Sequence, residues 1–283
     1  MPELAYVGGE LLPIDRAVVS IEDRGFQFAD GVYEVISTYG GVLFALEEHM
    51  LRLERSLAAL RISYDIREER LPQQILRGVE ACGFEDVLVY VQITRGAAPR
   101  HHEFPSPSVP PTVVMTFKEL YRLAPERYAL GVSVISTPDL RWKRCDIKSI
   151  ALLANILAKQ EAHERGAFEA LLVDGEGMVT EGSSTSAFCV RKGTIYVPPL
   201  GPHILPSVTR MVLLELACDM GVNVVEKSLS LSAFKEAEEV FLAGTTTEAI
   251  GVVALDGTTI GSGEPGPVTQ KLRAAFVERT ARR

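Results

Sequence analysis

Several residues of this sequence have types and neighbours suited to gripping different parts of one small ligand. Lys148 sits in RWKRCDIKSIALLANILAKQEA, between a mixed polar stretch and a segment with a broad apolar face. A lysine taken alone is nearly always a solvated surface residue. Here Arg141, Lys143 and Arg144 precede it, and like charges nearby favour the neutral amine, the form that attacks a carbonyl to make a Schiff base. Glu181, in VTEGSSTSAF, stands at an expected strand end ahead of a hydroxyl run that includes Ser184 and Thr185. A buried carboxylate there is a candidate partner for a protonated ring nitrogen, although an ordinary turn with a Ser/Thr cap fits the same residues. In HILPSVTR, Ser207 and Thr209 fall where a helix begins, so N–H groups and hydroxyls can face an anion. GTTTE at 244–248 offers Thr245 and Thr246 in a second polar cup, and Arg52 offers a positive charge. Taken singly, Ser207 is a plain helix cap and GTTT a plain turn.

The elements that must position these groups follow from periodicity and turn signals. Residues 32–39 and 42–45 flank Gly40-Gly41 and read as a hairpin. Leu46, Met50, Leu53, Leu57 and Leu60 recur at helical spacing, with His49, Arg52 and Ser56 aligned on a different face. A second helix is expected over 68–82, closed by Gly83, and strands over 87–94 and 111–117. Between those strands lies the proline-stiffened loop RGAAPRHHEFPSPSVPP, which carries Arg95, Arg100, His101 and His102. The second half alternates more regularly. Strands are expected at 132–136, 170–173, 178–181, 187–190, 194–197, 222–225 and 240–243, and helices over 149–165, from Ser207 and from Pro267. This order predicts an α+β (mixed α/β) fold in two domains: a smaller domain over 1–118, an interdomain linker over 119–130 and a larger, cofactor-binding domain over 131–283. No strand is followed by GxGxxG, so no dinucleotide fingerprint is present.

Composition narrows the classes further. With 47% hydrophobic and 23% charged residues, the 283-residue chain resembles an ordinary globular protein. A net charge of -8 with no basic stripe argues against nucleic acid as a partner but leaves room for a small anion in a local basic pocket. The N-terminal stretch lacks the pattern of a secretory leader, and no apolar run approaches membrane-spanning length. Cys82, Cys145, Cys189 and Cys218 are scattered without metal or disulfide spacing, which suits a reducing cytoplasm.

From FADGVYEV at 28–35 through EEHMLRL, TRGAAPRHHEFP, RWKRCDIKS, VTEGSS and GTTTE, the chain resembles the fold-type-IV pyridoxal-phosphate aminotransferases, and within them the D-amino-acid (D-alanine) aminotransferase branch. RCDIKS with EGSS roughly thirty residues on carries the specificity of that match. The resemblance implies pyridoxal 5'-phosphate as cofactor, held by Lys148 as an internal aldimine, with the same amine moving a proton between the substrate Cα and the cofactor C4′. It gives Glu181 the ring nitrogen, which must stay protonated for the ring to act as an electron sink. It gives the phosphate to Arg52, Val208, Thr209 and Thr245, packs Leu205 on the ring, and adds Ser184, Thr185 and Thr246 to the cofactor contacts. Tyr33, Arg100 and His102 resemble a trap for the substrate α-carboxylate, the arginine and histidine coming from a second subunit of a homodimer with shared active sites. A guanidinium that pins the carboxylate bidentately decides which enantiomer presents its Cα–H to the lysine. The implied substrates are amino acids and 2-oxo acids, with D-alanine or D-glutamate as donor. Gly244 and Ser186 depart from the branch, where serine and asparagine are common, which bears on substrate preference. Three alternatives stay open: an L-branched-chain aminotransferase, an aminodeoxychorismate lyase of the same fold, and a non-catalytic cofactor carrier. The last fits poorly with Lys148 and Glu181 together, because storage needs no electron sink.

Overall fold

Burial along residues 87–94 alternates strictly at first, with Val87, Val89, Val91 and Ile93 all at 0% exposure, as expected of a strand covered on one face. The computed structural model describes residues 3–281. These divide into two compact units, one running to Tyr121 and taking in Ile147–Ala151, the other comprising Arg122–Asp146 and the residues from Leu152 onward.

The first unit holds β1 (Leu4–Val7), β2 (Glu10–Pro13), α1 (Arg24–Phe28), β3 (Gly31–Tyr39), β4 (Val42–Leu43), α2 (Leu46–Leu60), α3 (Leu71–Cys82), β5 (Val87–Thr94) and β6 (Thr112–Glu119). Its six strands form one antiparallel sheet in the order β2-β1-β6-β5-β3-β4. The β3–β4 hairpin turns on Gly40 and Gly41 at φ 55° and 80°, a backbone that glycine adopts without strain. α2 packs on β3, and α3 on β1, β5 and β6. A Cβ at Gly78 of α3 would lie 2.0 Å from the Phe117 ring, so the helix can sit that close to β6 only as glycine. The core between helices and sheet contains Val32, Ile36, Leu53, Leu57, Ile75, Met115 and Phe117. α3 starts later than expected because Asp65 accepts from the N–H groups of Arg67 and Glu68, at 2.8 and 3.0 Å, and holds that stretch as turns.

The second unit holds α4 (Pro125–Leu130), β7 (Val132–Pro138), α5 (Leu153–Glu164), β8 (Glu169–Val173), β9 (Val179–Gly182), β10 (Ser186–Arg191), β11 (Thr194–Val197), α6 (Val208–Asp219), β12 (Val224–Glu226), α7 (Leu231–Lys235), β13 (Glu239–Gly244), β14 (Glu248–Leu255), β15 (Thr258–Thr259) and α8 (Pro267–Ala281). Its mixed sheet runs β12-β11-β10-β13-β14-β7-β8-β9, with β15 paired to β14. The mixture of helices and sheets agrees with the expected α+β class. The stretch expected to link domains, 119–130, contains α4.

One expected helix starts late for an informative reason. Residues 149–152 do not extend α5. Ser149 forms an isolated bridge with Val32, and Ile150 N–H donates to the Gly31 carbonyl at 3.1 Å. Lys148, Ser149 and Ile150 thus lie along β3, and Ile147–Ala151 belong to the first unit.

Candidate active site

In the first unit, Lys148 is held at its main chain from two elements. Its N–H donates to Ser56 Oγ of α2 at 3.2 Å, and its carbonyl accepts from the Tyr33 N–H of β3 at 3.0 Å. Its Nζ stands 4.3 Å from the Tyr33 ring centroid, and that ring lies 5.7 Å from the ring of Tyr90. Next to β3 on α2, the i, i+3 pair His49 and Arg52 converges on Glu34. Arg52 Nε and Nη2 reach Glu34 Oε1 and Oε2 at 2.8 and 2.7 Å, and His49 Nδ1 reaches Oε2 at 2.7 Å. Glu34 is fully buried. Burial alone would push its carboxyl up, but the Arg52 charge and the bonds from Arg52 and His49 bring it down to about 2. Burial holds the His49 imidazole below its ordinary value; Glu34 opposes this, and Arg52 and Lys148 add to it. A neutral His49 therefore donates its Nδ1–H to Glu34.

Arg100 and His102 are exposed in this unit. They gather at Phe28, with Arg100 Cζ 4.8 Å from its ring centroid and the His102 ring 5.6 Å from it. No hydrogen bond, ion pair or ring contact among the described residues ties either of them to Tyr33.

In the second unit, β9 presents Glu181 at 5% exposure. Its Oε2 accepts from Arg141 Nη1 at 2.6 Å and from the Leu205 N–H at 3.2 Å. Arg141 is fixed in turn by Asp139, through Nε at 2.9 Å and Nη2 at 2.7 Å, and Thr180 Oγ1 donates to Asp139 at 2.7 Å. Burial pushes the Glu181 carboxyl up, against the pull of the Arg141 guanidinium. Both bonds end on Oε2, and Oε1 has no donor among the described residues. An oriented, desolvated carboxylate with one open oxygen suits a protonated ring nitrogen. Leu205 is tied to the same carboxylate through its N–H.

Ser207 caps α6 by accepting from the Arg210 N–H at 3.2 Å. The N–H groups of Val208 and Thr209, both buried, have no acceptor among the described residues. Free donors at the start of a 12-residue helix can receive an anion. α6 packs on β13, whose end leads into the Thr245–Thr247 turn, with Thr246 exposed and Thr245 half-buried. After that turn Glu248 takes φ 55° and binds Arg122 Nη1 at 3.1 Å, which fixes the start of β14.

Two expectations need qualification. Ser184 and Thr185 turn their hydroxyls to a buried carboxylate that sequence reasoning missed. Ser184 Oγ lies 2.7 Å and Thr185 Oγ1 3.4 Å from Glu169 Oε2, and Ser183 donates to the other oxygen. The cations held to act on Lys148 are also engaged elsewhere, Arg141 with Asp139 and Glu181, and Arg144 with Asp146 at 2.9 Å. The residues overlooked as partners are Glu34, Asp139 and Glu169, together with Arg141 as a clamp. A buried arginine on an amphipathic helix demands a nearby acid, and that rule would have pointed to Glu34.

A family model described as amino-transferase class IV matches residues 31–255. The chain is 42% identical over 268 residues to D-alanine aminotransferase of Bacillus licheniformis, covering 95% of this chain and 94% of that one. It is 37% identical over 271 residues to D-alanine aminotransferase of Staphylococcus haemolyticus, covering 96% and 95%. In structure it is similar to the branched-chain amino acid aminotransferase of T.th. with pyridoxamine 5'-phosphate. The TM-score is 0.90, with 29% identity and coverage of 98% and 93%.

Proposed function

Given that the chain belongs to the class IV aminotransferases, we propose that it is a pyridoxal 5'-phosphate-dependent transaminase that moves the amino group of a D-amino acid, of the D-alanine or D-glutamate type, to a 2-oxo acid. The observation that carries the cofactor reading is Glu181, buried, with Oε2 doubly bonded and Oε1 open. When bound, the cofactor supplies an electron-withdrawing ring that makes the substrate Cα–H acidic. Lys148 would hold its aldehyde carbon, Glu181 Oε1 its ring N–H, and Leu205 its face. Arg52, with the N–H groups of Val208 and Thr209 and the Thr245 turn, would hold its phosphate, and Ser184, Thr185 and Thr246 would line the remainder.

The chain's own work is then positioning and proton transfer. Arg141 opposes the burial that pushes the Glu181 carboxyl up, by setting its guanidinium 2.6 Å from Oε2. The Lys148 amine would take the proton from the substrate Cα and hold it for return to the carbon on the far side of the substrate nitrogen. Its main chain is pinned by Ser56 and Tyr33, so the base is presented from a fixed position. Tyr33, Arg100 and His102 grip the α-carboxylate, and that grip selects the enantiomer. Arg100 and His102 come from a second copy of the chain, in a homodimer. Their exposure, and their place at Phe28 rather than at Tyr33, support that reading. The enzyme works in the cytoplasm, in keeping with its four free thiols. No described helix is long and apolar enough to cross a membrane.

The likeness to branched-chain aminotransferases favours a second reading, an L-branched-chain transaminase. One experiment separates the two. Holoenzyme is mixed with D-alanine or with L-leucine in the absence of acceptor, and the cofactor absorbance is followed. Bleaching by D-alanine is expected; bleaching by L-leucine alone would reverse the assignment. Borohydride reduction and peptide mapping should place the cofactor mass on Lys148.

A further inference from the structure

The segment 99–110, which carries Arg100 and His102, makes no main-chain to main-chain hydrogen bond with any described residue. One side chain holds its carbonyls instead. Arg24 Nη1 donates to the His101 carbonyl at 2.6 Å and to that of Glu103 at 3.2 Å, and Nη2 donates to that of His102 at 3.3 Å. Arg24 is 3% exposed, an unusual burial for a guanidinium.

The supports of this contact lie in the same unit. α1 puts Arg24 and Phe28 four residues apart on one helix face. The Phe28 ring then meets Arg24 at 4.9 Å and Arg100 at 4.8 Å, with the His102 ring at 5.6 Å. Asp30 fixes the other end of the guanidinium, accepting Arg24 Nε at 2.8 Å. Asp30 also accepts Arg95 Nε and Nη2, at 2.8 and 2.9 Å. Arg95 donates onward to the Leu60 and Arg61 carbonyls and lies 3.6 Å from the Phe104 ring centroid. Burial alone would push the Asp30 carboxyl up, but bonds from Arg95 and Arg24 hold it below the ordinary carboxylate range, so it stays ionised at neutral pH. A solvent-facing loop without main-chain bonds would otherwise sample many conformations, and ordering it would weaken substrate binding.

We propose that Arg24 is the positioning residue of the carboxylate-binding loop: one guanidinium tied to three successive carbonyls holds Arg100 and His102 in place before substrate arrives. Arg24 touches no substrate. The inference rests on the reading of Arg100 and His102 as the carboxylate grip. A lysine cannot replace the fork, because its single ammonium cannot span three carbonyls and Asp30 together.

The test uses holoenzyme and steady-state kinetics with D-alanine for Arg24→Met, Arg24→Lys and Arg100→Ala in parallel, together with trypsin cleavage after Arg100. Both Arg24 variants should raise KM for D-alanine about tenfold, change kcat less than threefold, retain the cofactor absorbance and be cut after Arg100 about tenfold faster than wild type. A merely structural role would lower cofactor content and kcat with no selective rise in KM. If Arg100→Ala raises KM and neither Arg24 variant does, the positioning role is overturned while the grip stands. If Arg100→Ala leaves KM unchanged, the grip itself is wrong and the positioning role falls with it. Wild-type holoenzyme cut after Arg100 as fast as a free peptide of the same sequence would overturn the proposal, whether or not the variants fold.

Discussion

Glu34→Gln removes a charge from the most tightly enclosed ion pair near Lys148 and keeps the side chain's shape. In the native protein the carboxylate receives Arg52 through two nitrogens, at 2.8 and 2.7 Å, and His49 at 2.7 Å, with Glu34 at 0% and Arg52 at 3% exposure. Deleting one partner of such a pair leaves a desolvated charge and costs about 3–5 kcal/mol. The titration of Glu34 gives a second route to the magnitude. Its folded value of about 2 lies below the ordinary 4.5, a difference worth about 3 kcal/mol. Because the folded value is the lower one, the unfolded chain takes up the proton first as pH falls. The stabilisation is therefore complete above about pH 4.5 and is lost as pH falls toward 2, with about 2 kcal/mol gone by pH 3. Urea unfolding followed by circular dichroism, on both proteins from pH 7 to pH 3, reads this directly. The variant should be less stable by about 3 kcal/mol at pH 7, and the gap should narrow steadily below pH 4.5. A gap of constant size across that range would refute the claim that Glu34 is held ionised by Arg52 and His49.

Two more expectations follow from the second unit. Arg141→Met takes the counter-charge from Glu181 while leaving its other donor, the Leu205 N–H, in place. kcat should drop by at least tenfold, roughly 1.4 kcal/mol, with cofactor still bound; wild-type kcat would mean that Glu181 needs no counter-charge. Burial pushes the Cys145 thiol up to about 11 and the Cys189 thiol up to about 12, so both stay protonated at pH 8. Titration with a chromogenic disulfide should therefore find exposed Cys218 reacting first, and rapid reaction at Cys145 or Cys189 would contradict their burial.

Elements governed by local rules are legible in the sequence. α2 follows from apolar spacing, β5 from alternation, the 40–41 turn from its two glycines, and α6 from the Ser207 cap. The burial of Glu181 on its short strand and the open N–H groups at 208–209, beside the Ser207 cap, follow from the same local rules. What the sequence hides is long-range pairing. Glu34 acquires meaning only when β3 brings it under His49 and Arg52, and Arg141 reads as a neighbour of Lys148 although its guanidinium is turned to Asp139 and Glu181. Ser149 looks like the first turn of a helix because nothing local reveals that Val32 is waiting to pair with it. The short strands β1 and β2 carry too few residues for any period to stand out.

The five residues Ile147–Ala151 belong to the first unit while the residues on both sides of them belong to the second, so the polypeptide passes from one unit to the other three times. No single cut can separate the halves. A fragment ending at Tyr121 would expose the Gly31 carbonyl and the Tyr33 N–H that this stretch satisfies, leaving a sticky margin open to other chains. The complementary fragment would carry Lys148 on a stretch with no β3 to lie against. The Lys148 amine is thus stitched into its place by topology: whatever unravels the N-terminal sheet also releases the lysine.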